Sequence, residues 1–158
     1  MDRKTVPNTV PWPPLIYGAA VVAAVALNRR IPLSGCIAGG IRPVGAIVML
    51  SGLAFDGSAM LSMRRHHANI LPHRAATALV TSGPFSVSRN PIYLGNTLML
   101  AGAALAFDNL WFAGMAAVAA RAVTGLAIKR EESHLAASFG AAWQDYAGRV
   151  PRWFRLLS

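Results

Sequence analysis

An all-α bundle of membrane-spanning helices is what this sequence predicts, on three observations. Only 13% of its 158 residues are charged, against about 25% in an ordinary soluble domain. The charges are segregated: no Lys, Arg, Asp or Glu occurs in 5–28, 43–55, 90–107 or 109–120. The apolar runs left between them each approach the ~20 residues a helix needs to cross a bilayer. We therefore expect one domain over 1–158, with about four transmembrane helices at roughly 14–28, 43–63, 91–107 and 109–128 and a C-terminal cytoplasmic helical lid from 129 onward.

The first run is preceded by Arg3 and Lys4, as a signal peptide would be. Pro11, Pro13 and Pro14 interrupt its start and Arg29-Arg30 follow it closely, so it is read as an uncleaved span. The second run extends from Pro43 to Met63 and carries Asp56. The third opens at Pro91, behind Asn90, a good N-cap residue, with proline suited to a first helical turn. Asp108-Asn109 alone separate it from the fourth, so the two form a tight antiparallel hairpin. Small residues line both arms: Gly95, Ala101, Gly102, Ala103 and Ala104 in one, Gly114, Ala116, Ala117, Ala119 and Ala120 in the other. In lipid, small side chains let helix backbones approach closely. The tail reads as two short helices divided at Phe139-Gly140, with the glycine suited to a left-handed cap. Trp143, Tyr146 and Val150 recur at helical spacing before Arg152-Trp153-Phe154-Arg155, a mixture that suits an anchor at the membrane interface.

The net charge of +9 would point to nucleic acid in a soluble protein. Here the basic residues flank apolar runs, so the membrane and its anionic head groups are the expected partner, and no nucleic acid is. With the N-terminus inside, Arg3, Lys4, Arg64, Arg65, Arg74, Arg89 and the basic tail share the cytoplasmic face, while Arg29, Arg30 and Arg42 lie outside. The balance favours both termini in the cytoplasm, in a bacterial inner membrane. The lone Cys36 excludes an internal disulfide and a cysteine-rich metal site. His66-His67 and His73 come without a neighbouring carboxylate, and no metal is expected.

Two ionisable residues, Asp56 and Arg121, fall inside expected spans, where such groups are costly and functional by default. Asp56 precedes Arg64 by eight residues and Arg121 precedes Lys129 by eight. Both should then sit about 12 Å from the cytoplasmic helix ends. Equal depth on parallel helices would let them pair. Alternatively Arg121 snorkels to the interface and Asp56 is neutral or faces a polar cavity.

Two segments hold the candidate chemistry. In Leu79-Val80-Thr81-Ser82-Gly83-Pro84-Phe85-Ser86-Val87-Ser88-Arg89-Asn90-Pro91-Ile92-Tyr93, Gly83-Pro84 makes a turn. The free amides of the following helix start, beside Arg89, would attract a carboxylate. In Lys129-Arg130-Glu131-Glu132, paired carboxylates in a basic tail suit an amine or a sulfonium; the plainer reading is acids at a helix start.

Taken together, Leu79-Val80, Gly83-Pro84-Phe85, Arg89-Asn90-Pro91-x-Tyr93, Glu131-Glu132, Phe139-Gly140, Tyr146 and Arg149-Val150-Pro151 resemble the isoprenylcysteine carboxyl methyltransferase family. They resemble more loosely the membrane phospholipid N-methyltransferases. The match runs in order from about Ala76 to the C-terminus. The resemblance implies S-adenosylmethionine held at the cytoplasmic face beneath the tail, with contacts from Leu79, Val80, Phe85, Asn90, Pro91, Ile92, Tyr93 and Glu131. It makes Arg89, Tyr93, Glu132 and Arg149 the candidate catalytic residues, and a lipid or lipophilic small molecule the methyl acceptor. The chain departs from the pattern twice. Asn90 stands where the family usually has His, and Ala127 stands where the prenylcysteine enzymes place an arginine for the substrate carboxylate. The competing readings are an NADPH-dependent membrane reductase on the same helical core and a non-catalytic membrane scaffold.

Overall fold

In the computed structural model, residues 12–35, 39–66, 68 and 78–154 are described. Arg3, Lys4, Pro11, Cys36, His67, His73, Arg74 and Arg155 lie outside the described residues. Five α-helices account for most of the described chain: α1 (Trp12–Arg30), α2 (Arg42–Arg65), α3 (Pro91–Ala106), α4 (Trp111–Val123) and α5 (Lys129–Arg149).

Proline sets three of the helix starts. Pro13 and Pro14 belong to the first turn of α1 rather than interrupting it, Pro43 opens α2 and Pro91 opens α3. In a first turn the missing N–H has no intrahelical partner to lose. The α3–α4 turn is built on Asp108, whose φ of 49° is unusual for a residue with a side chain but tolerated by aspartate. Its Oδ2 accepts from the Gly35 backbone N–H at 2.6 Å and from Arg42 at 3.3 Å. Trp111 Nε1 donates to the Ile31 carbonyl at 2.8 Å. The segment after α1 is thus clasped to the hairpin turn, at the end of the bundle away from Glu131.

The fourth apolar run does not end where expected. After α4 the helix passes through a π-helical turn, Thr124–Ile128, directly into α5. The tail is therefore a continuation of α4. It breaks only at Gly140, whose φ of 51° and ψ of −121° are non-helical. Positive φ was expected there; the ψ takes the residue out of a simple left-handed cap and folds the second arm back on the first.

α1, α3 and α4 share the main core. Tyr17, Ala20 and Ala24 of α1 meet Leu100, Ala103 and Ala104 of α3 and Phe112, Ala116, Ala119 and Val123 of α4. The alanines are the contact surface, as small-residue packing in lipid requires. α2 packs on the other side of α3, glycine against glycine. A Cβ at Gly52 would stand 2.6 Å from the Gly95 carbonyl oxygen, and one at Gly95 would stand 2.6 Å from that of Gly52. Seven residues along each helix, a Cβ at Gly102 would be 2.7 Å from the Gly45 carbonyl oxygen. The hairpin glycines Gly95 and Gly102 thus serve α2, not α4.

The stretches Gly39–Arg65 and Trp111–Arg149 are long and apolar enough to cross a bilayer, and only 17% and 33% of their apolar windows are buried within the protein. The core helix of a soluble protein would be largely covered. Here residues such as Ile47, Leu50 and Leu53 of α2 are exposed, as they should be on helices that face lipid.

Candidate functional site

The site forms where the tail returns to the start of α3. Beyond Gly140, Trp143, Tyr146 and Val150 do not face outward as an anchor. They are buried and pack with Leu79, Leu135 and Phe139 into a second small core. Helical spacing identified one face, and that face is interior. The Tyr146 hydroxyl donates to the Phe85 carbonyl at 2.7 Å, inside the short 3-10 turn Gly83–Ser86.

The chain leaving α5 then pairs with the loop before α3. Arg89 N–H donates to the Pro151 carbonyl at 2.9 Å. The Arg152 carbonyl accepts from Asn90 Nδ2 at 2.9 Å and from Ser88 Oγ at 3.2 Å. Asn90 occupies the N-cap position, but its side chain makes no capping bond. It joins loop to tail instead, and the Asn90 N–H is met by Ser88 Oγ at 3.1 Å. Asn90 was expected to cap; its Nδ2 donates to the tail carbonyl, and its Oδ1 makes no capping bond. Trp153 Nε1 reaches Thr124 Oγ1 in the π-helical turn at 3.3 Å.

Inside this closure lie the two carboxylates. Glu131 Oε1 accepts from the Tyr93 hydroxyl at 2.7 Å. Tyr93 is itself buried, and its carbonyl accepts from Tyr17 of α1 at 2.9 Å and from Thr97 at 2.8 Å. Burial holds the Glu131 carboxyl above the ordinary glutamate range; the Tyr93 hydrogen bond opposes that rise and the Glu132 charge adds to it. Glu132 faces two cations. Arg152 binds it through both forks, at 3.0 and 2.5 Å, and Arg89 lies 3.3 Å away. The Arg89 guanidinium also sits 5.6 Å from the centre of the Trp143 ring, within the range of cation–π attraction. Arg89 Nε is buried and has no hydrogen-bond partner among the described residues.

Because α4 runs into α5 without a break, Glu131 and Glu132 do not mark a helix start, and the helix dipole does not account for them. Their partners do. The π-helical turn lies immediately before them, with Ala127 and Ile128 fully buried; π-turns inside helices are frequent near functional sites.

The candidate residues are placed as follows. Leu79 packs under the tail, Val80 is buried beside it, and Pro91 is the fully buried first residue of α3. Ile92 is partly buried against the main core. Phe85, Asn90, Tyr93, Glu131, Arg89 and Glu132 are joined by the contacts above. Arg149 stands apart: it is exposed, and its Nε donates to the Asp145 carbonyl of its own helix at 3.2 Å. Arg152 and Ser88 were not anticipated. For Arg152 a signal existed, since a carboxylate pair in a basic tail needs cations and Arg152 lies in that tail. Asp56 and Arg121 do not pair: Asp56 faces α3, with Oδ2 3.4 Å from Asn96 Nδ2, and Arg121 is exposed on α4. His66 Nδ1 lies 2.9 Å from the Ser62 carbonyl.

A sequence profile of phospholipid methyltransferases matches residues 41–142, from the start of α2 to just past the Gly140 break. The chain belongs to the phospholipid methyltransferase family. This is a membrane methyltransferase family related to the isoprenylcysteine carboxyl methyltransferases, so the resemblance carried by the two motif segments holds. The matched part contains both segments; Trp143, Tyr146 and Arg152 lie beyond it. Over 85 residues the chain is 35% identical to the nickel-cobalt-cadmium resistance protein NccN of Alcaligenes xylosoxydans xylosoxydans, covering 54% of this chain and 39% of that protein. It is 34% identical over 85 residues to the cobalt-zinc-cadmium resistance protein CzcN of Cupriavidus metallidurans, with the same two shares, 54% and 39%. The match therefore spans about two fifths of the length of these relatives.

Proposed function

We propose that the protein transfers a methyl group from S-adenosylmethionine to a lipophilic acceptor at the cytoplasmic membrane face, with the folded-back tail as a lid. The observation that carries this reading is the pairing of Glu131 with Tyr93 beside a Glu132 carboxylate clamped by Arg89 and Arg152. A scaffold that only needed a stable tail would have no use for two carboxylates and an unmatched guanidinium N–H in one place.

The donor set fits S-adenosylmethionine. Glu131 offers a carboxylate to an ammonium or a ribose hydroxyl. Arg89 Nε, buried without a partner among the described residues, has a hydrogen to give to the cofactor's carboxylate. The faces of Phe85 and Tyr93 favour a sulfonium cation. Leu79, Val80, Asn90, Pro91 and Ile92 complete the proposed wall. When bound, S-adenosylmethionine supplies an electrophilic methyl group. The chain's part is to orient and to exclude water, because in-line transfer depends on positioning more than on acid or base. Glu132 fixes Arg89, Tyr93 fixes Glu131, and the 143–153 arm closes the opening; Arg149 stands at the rim of that arm. The relatives' names speak of metal resistance, but among the described residues no group of three or more His, Cys, Asp or Glu side chains gathers. Methyl transfer is the reading supported by family and geometry alike.

The test is transfer of labelled methyl from S-adenosylmethionine into the organic extract of membranes containing the protein. The wild type should label lipid-soluble material, and Glu131→Gln should do so at least tenfold less. No label above membranes lacking the protein would overturn the proposal, and calorimetric binding of NADPH would then favour the reductase reading.

A further inference from the structure

Phe112, Ala116, Ala119 and Val123 mark the face that α4 turns to the main core, where Tyr93 also lies. Glu131 follows Val123 by eight residues. At about 3.6 residues per turn, that interval in an unbroken α-helix would swing Glu131 about 80° away from this face. Yet Glu131 meets the Tyr93 hydroxyl at 2.7 Å. The π-helical turn Thr124–Ile128 makes the difference. Its bonds close five residues apart instead of four, as from the Lys129 N–H to the Thr124 carbonyl. One extra residue is absorbed, and everything beyond is turned back by about 100°.

A π-turn is rare in an otherwise α-helical stretch, and here side chains meet at it from two elements. The Thr124 hydroxyl donates to the Ala120 carbonyl at 2.6 Å, and its oxygen accepts from Trp153 Nε1 at 3.3 Å. Trp153 packs against the main core. The residue before it, Arg152, grips Glu132 with two guanidinium nitrogens. Two adjacent tail residues thus hold the helix at Thr124 and at Glu132, again eight residues apart. With the π-turn these two points fall close to one line along the helix; without it they would diverge by about 80°. The tail therefore engages one rotation of α5 and not the other.

We propose that Thr124 and Trp153 are positioning residues: by holding the π-helical turn they set the rotation of α5 that brings Glu131 to Tyr93 and Glu132 to Arg89. What Glu131 then binds rests on the methyl-transfer reading; the rotation does not. Both residues act through Glu131 and not on the cofactor. Gly125 gives a way to separate the two. It is exposed, and a Cβ there would meet nothing within 4 Å. Deleting it removes the extra residue, so that a plain α-helix would bring Glu131 to nearly the same rotation with no π-turn to hold.

S-adenosylhomocysteine binding is measured by calorimetry in detergent on the wild type, on Thr124→Val and Trp153→Phe, and on the same two variants with Gly125 deleted. Rotation is read separately in a Cys36→Ser background, from the rate of maleimide labelling of Ser133→Cys, an exposed position, and of Leu135→Cys, packed in the second core. Thr124→Val and Trp153→Phe should each weaken binding at least fivefold, and deletion of Gly125 should bring it back to within twofold of the wild type. In both variants the thiol at 133 should label at least threefold more slowly and that at 135 at least threefold faster, because the helix turns. An arm that merely detached would speed labelling at 135 and leave 133 unchanged, and that result overturns the proposal. Unaltered binding in both variants overturns it too, as does a folded deletion variant that fails to restore binding. If the deletion prevents folding, the opposed labelling changes support the proposal and their absence overturns it. A wild type that does not bind S-adenosylhomocysteine removes the methyl-transfer reading instead, and the labelling then tests the rotation by itself.

Discussion

At Glu132 two guanidinium groups converge on one carboxylate, and their exposures differ. The side chains of Glu132 and Arg89 are 14% and 15% exposed, that of Arg152 38%. Removing the carboxylate strands a nearly buried cation, whereas removing Arg152 leaves Glu132 still paired with Arg89. Glu132→Ala should therefore cost about 3 kcal/mol, the lower end of the range for stranding a buried partner. Arg152→Ala should cost about 1 kcal/mol, as for a largely solvated pair. Denaturant unfolding in detergent measures both, and equal losses would show that Arg89 does not depend on Glu132. Much of this residue-scale picture was legible. Glu131, Glu132, Arg89 and Tyr93 are visible as chemistry-bearing types within recurring motif positions. The partner of each was not. Arg152 lies twenty residues from Glu132 and Tyr93 lies thirty-eight from Glu131, and no local pattern encodes contacts at that range. Asn90 shows the limit from the other side. Its type predicts a cap, yet its Nδ2 bonds a carbonyl delivered by the tail and its Oδ1 makes no capping bond.

Between elements, the closest approach is that of α2 to α3. The backbones meet at Gly52–Gly95 and at Gly45–Gly102 with no room for a Cβ. Gly52→Ala and Gly95→Ala should each lose about 1–3 kcal/mol, because the obstacle is backbone and the helices must move apart. Gly57→Ala on the same helix meets nothing within 4 Å. It should be neutral or slightly stabilising, since alanine is the better helix former. Thermal unfolding in detergent reads the difference, and similar behaviour of all three would mean that α2 does not pack on α3 in this way. The apolar runs located the starts of the first four helices to within a few residues, because bilayer length and charge exclusion are one-dimensional signals; the end of the fourth they missed. Which glycine faces which neighbour is not one-dimensional, so Gly95 and Gly102 looked like hairpin residues. The π-helical turn was invisible for a similar reason. Thr124, Gly125, Leu126, Ala127 and Ile128 contain no proline, and their one glycine sits in an apolar run where a glycine is ordinary for a span; in the structure Ala127 and Ile128 are buried there and Trp153 contacts Thr124.

Over the whole molecule, the bundle and the returning tail form one mechanism in the proposed function. α1, α3 and α4 present Tyr93, the continuous α4–α5 helix carries Glu131 and Glu132 past it, and Gly140 turns the last arm back to cover them. Truncation after Gly140 should then abolish cofactor binding while the spans still insert, since the buried residues of the main core, Tyr17, Ala24, Ala104 and Val123 among them, all precede Gly140, and of the described residues lost only Trp153 packs against that core. A truncated protein that binds normally would make the arm an anchor and not a lid. The central claim is that the Glu131 cluster holds S-adenosylmethionine. Its most direct test is titration calorimetry of S-adenosylhomocysteine into the detergent-solubilised protein, alongside Glu131→Gln and the exposed-site control Arg121→Gln. Micromolar affinity is predicted, about −8 kcal/mol, with a loss of at least about 1.4 kcal/mol, tenfold, in Glu131→Gln and none in Arg121→Gln. No binding to the wild type, or equal binding to all three, would contradict it.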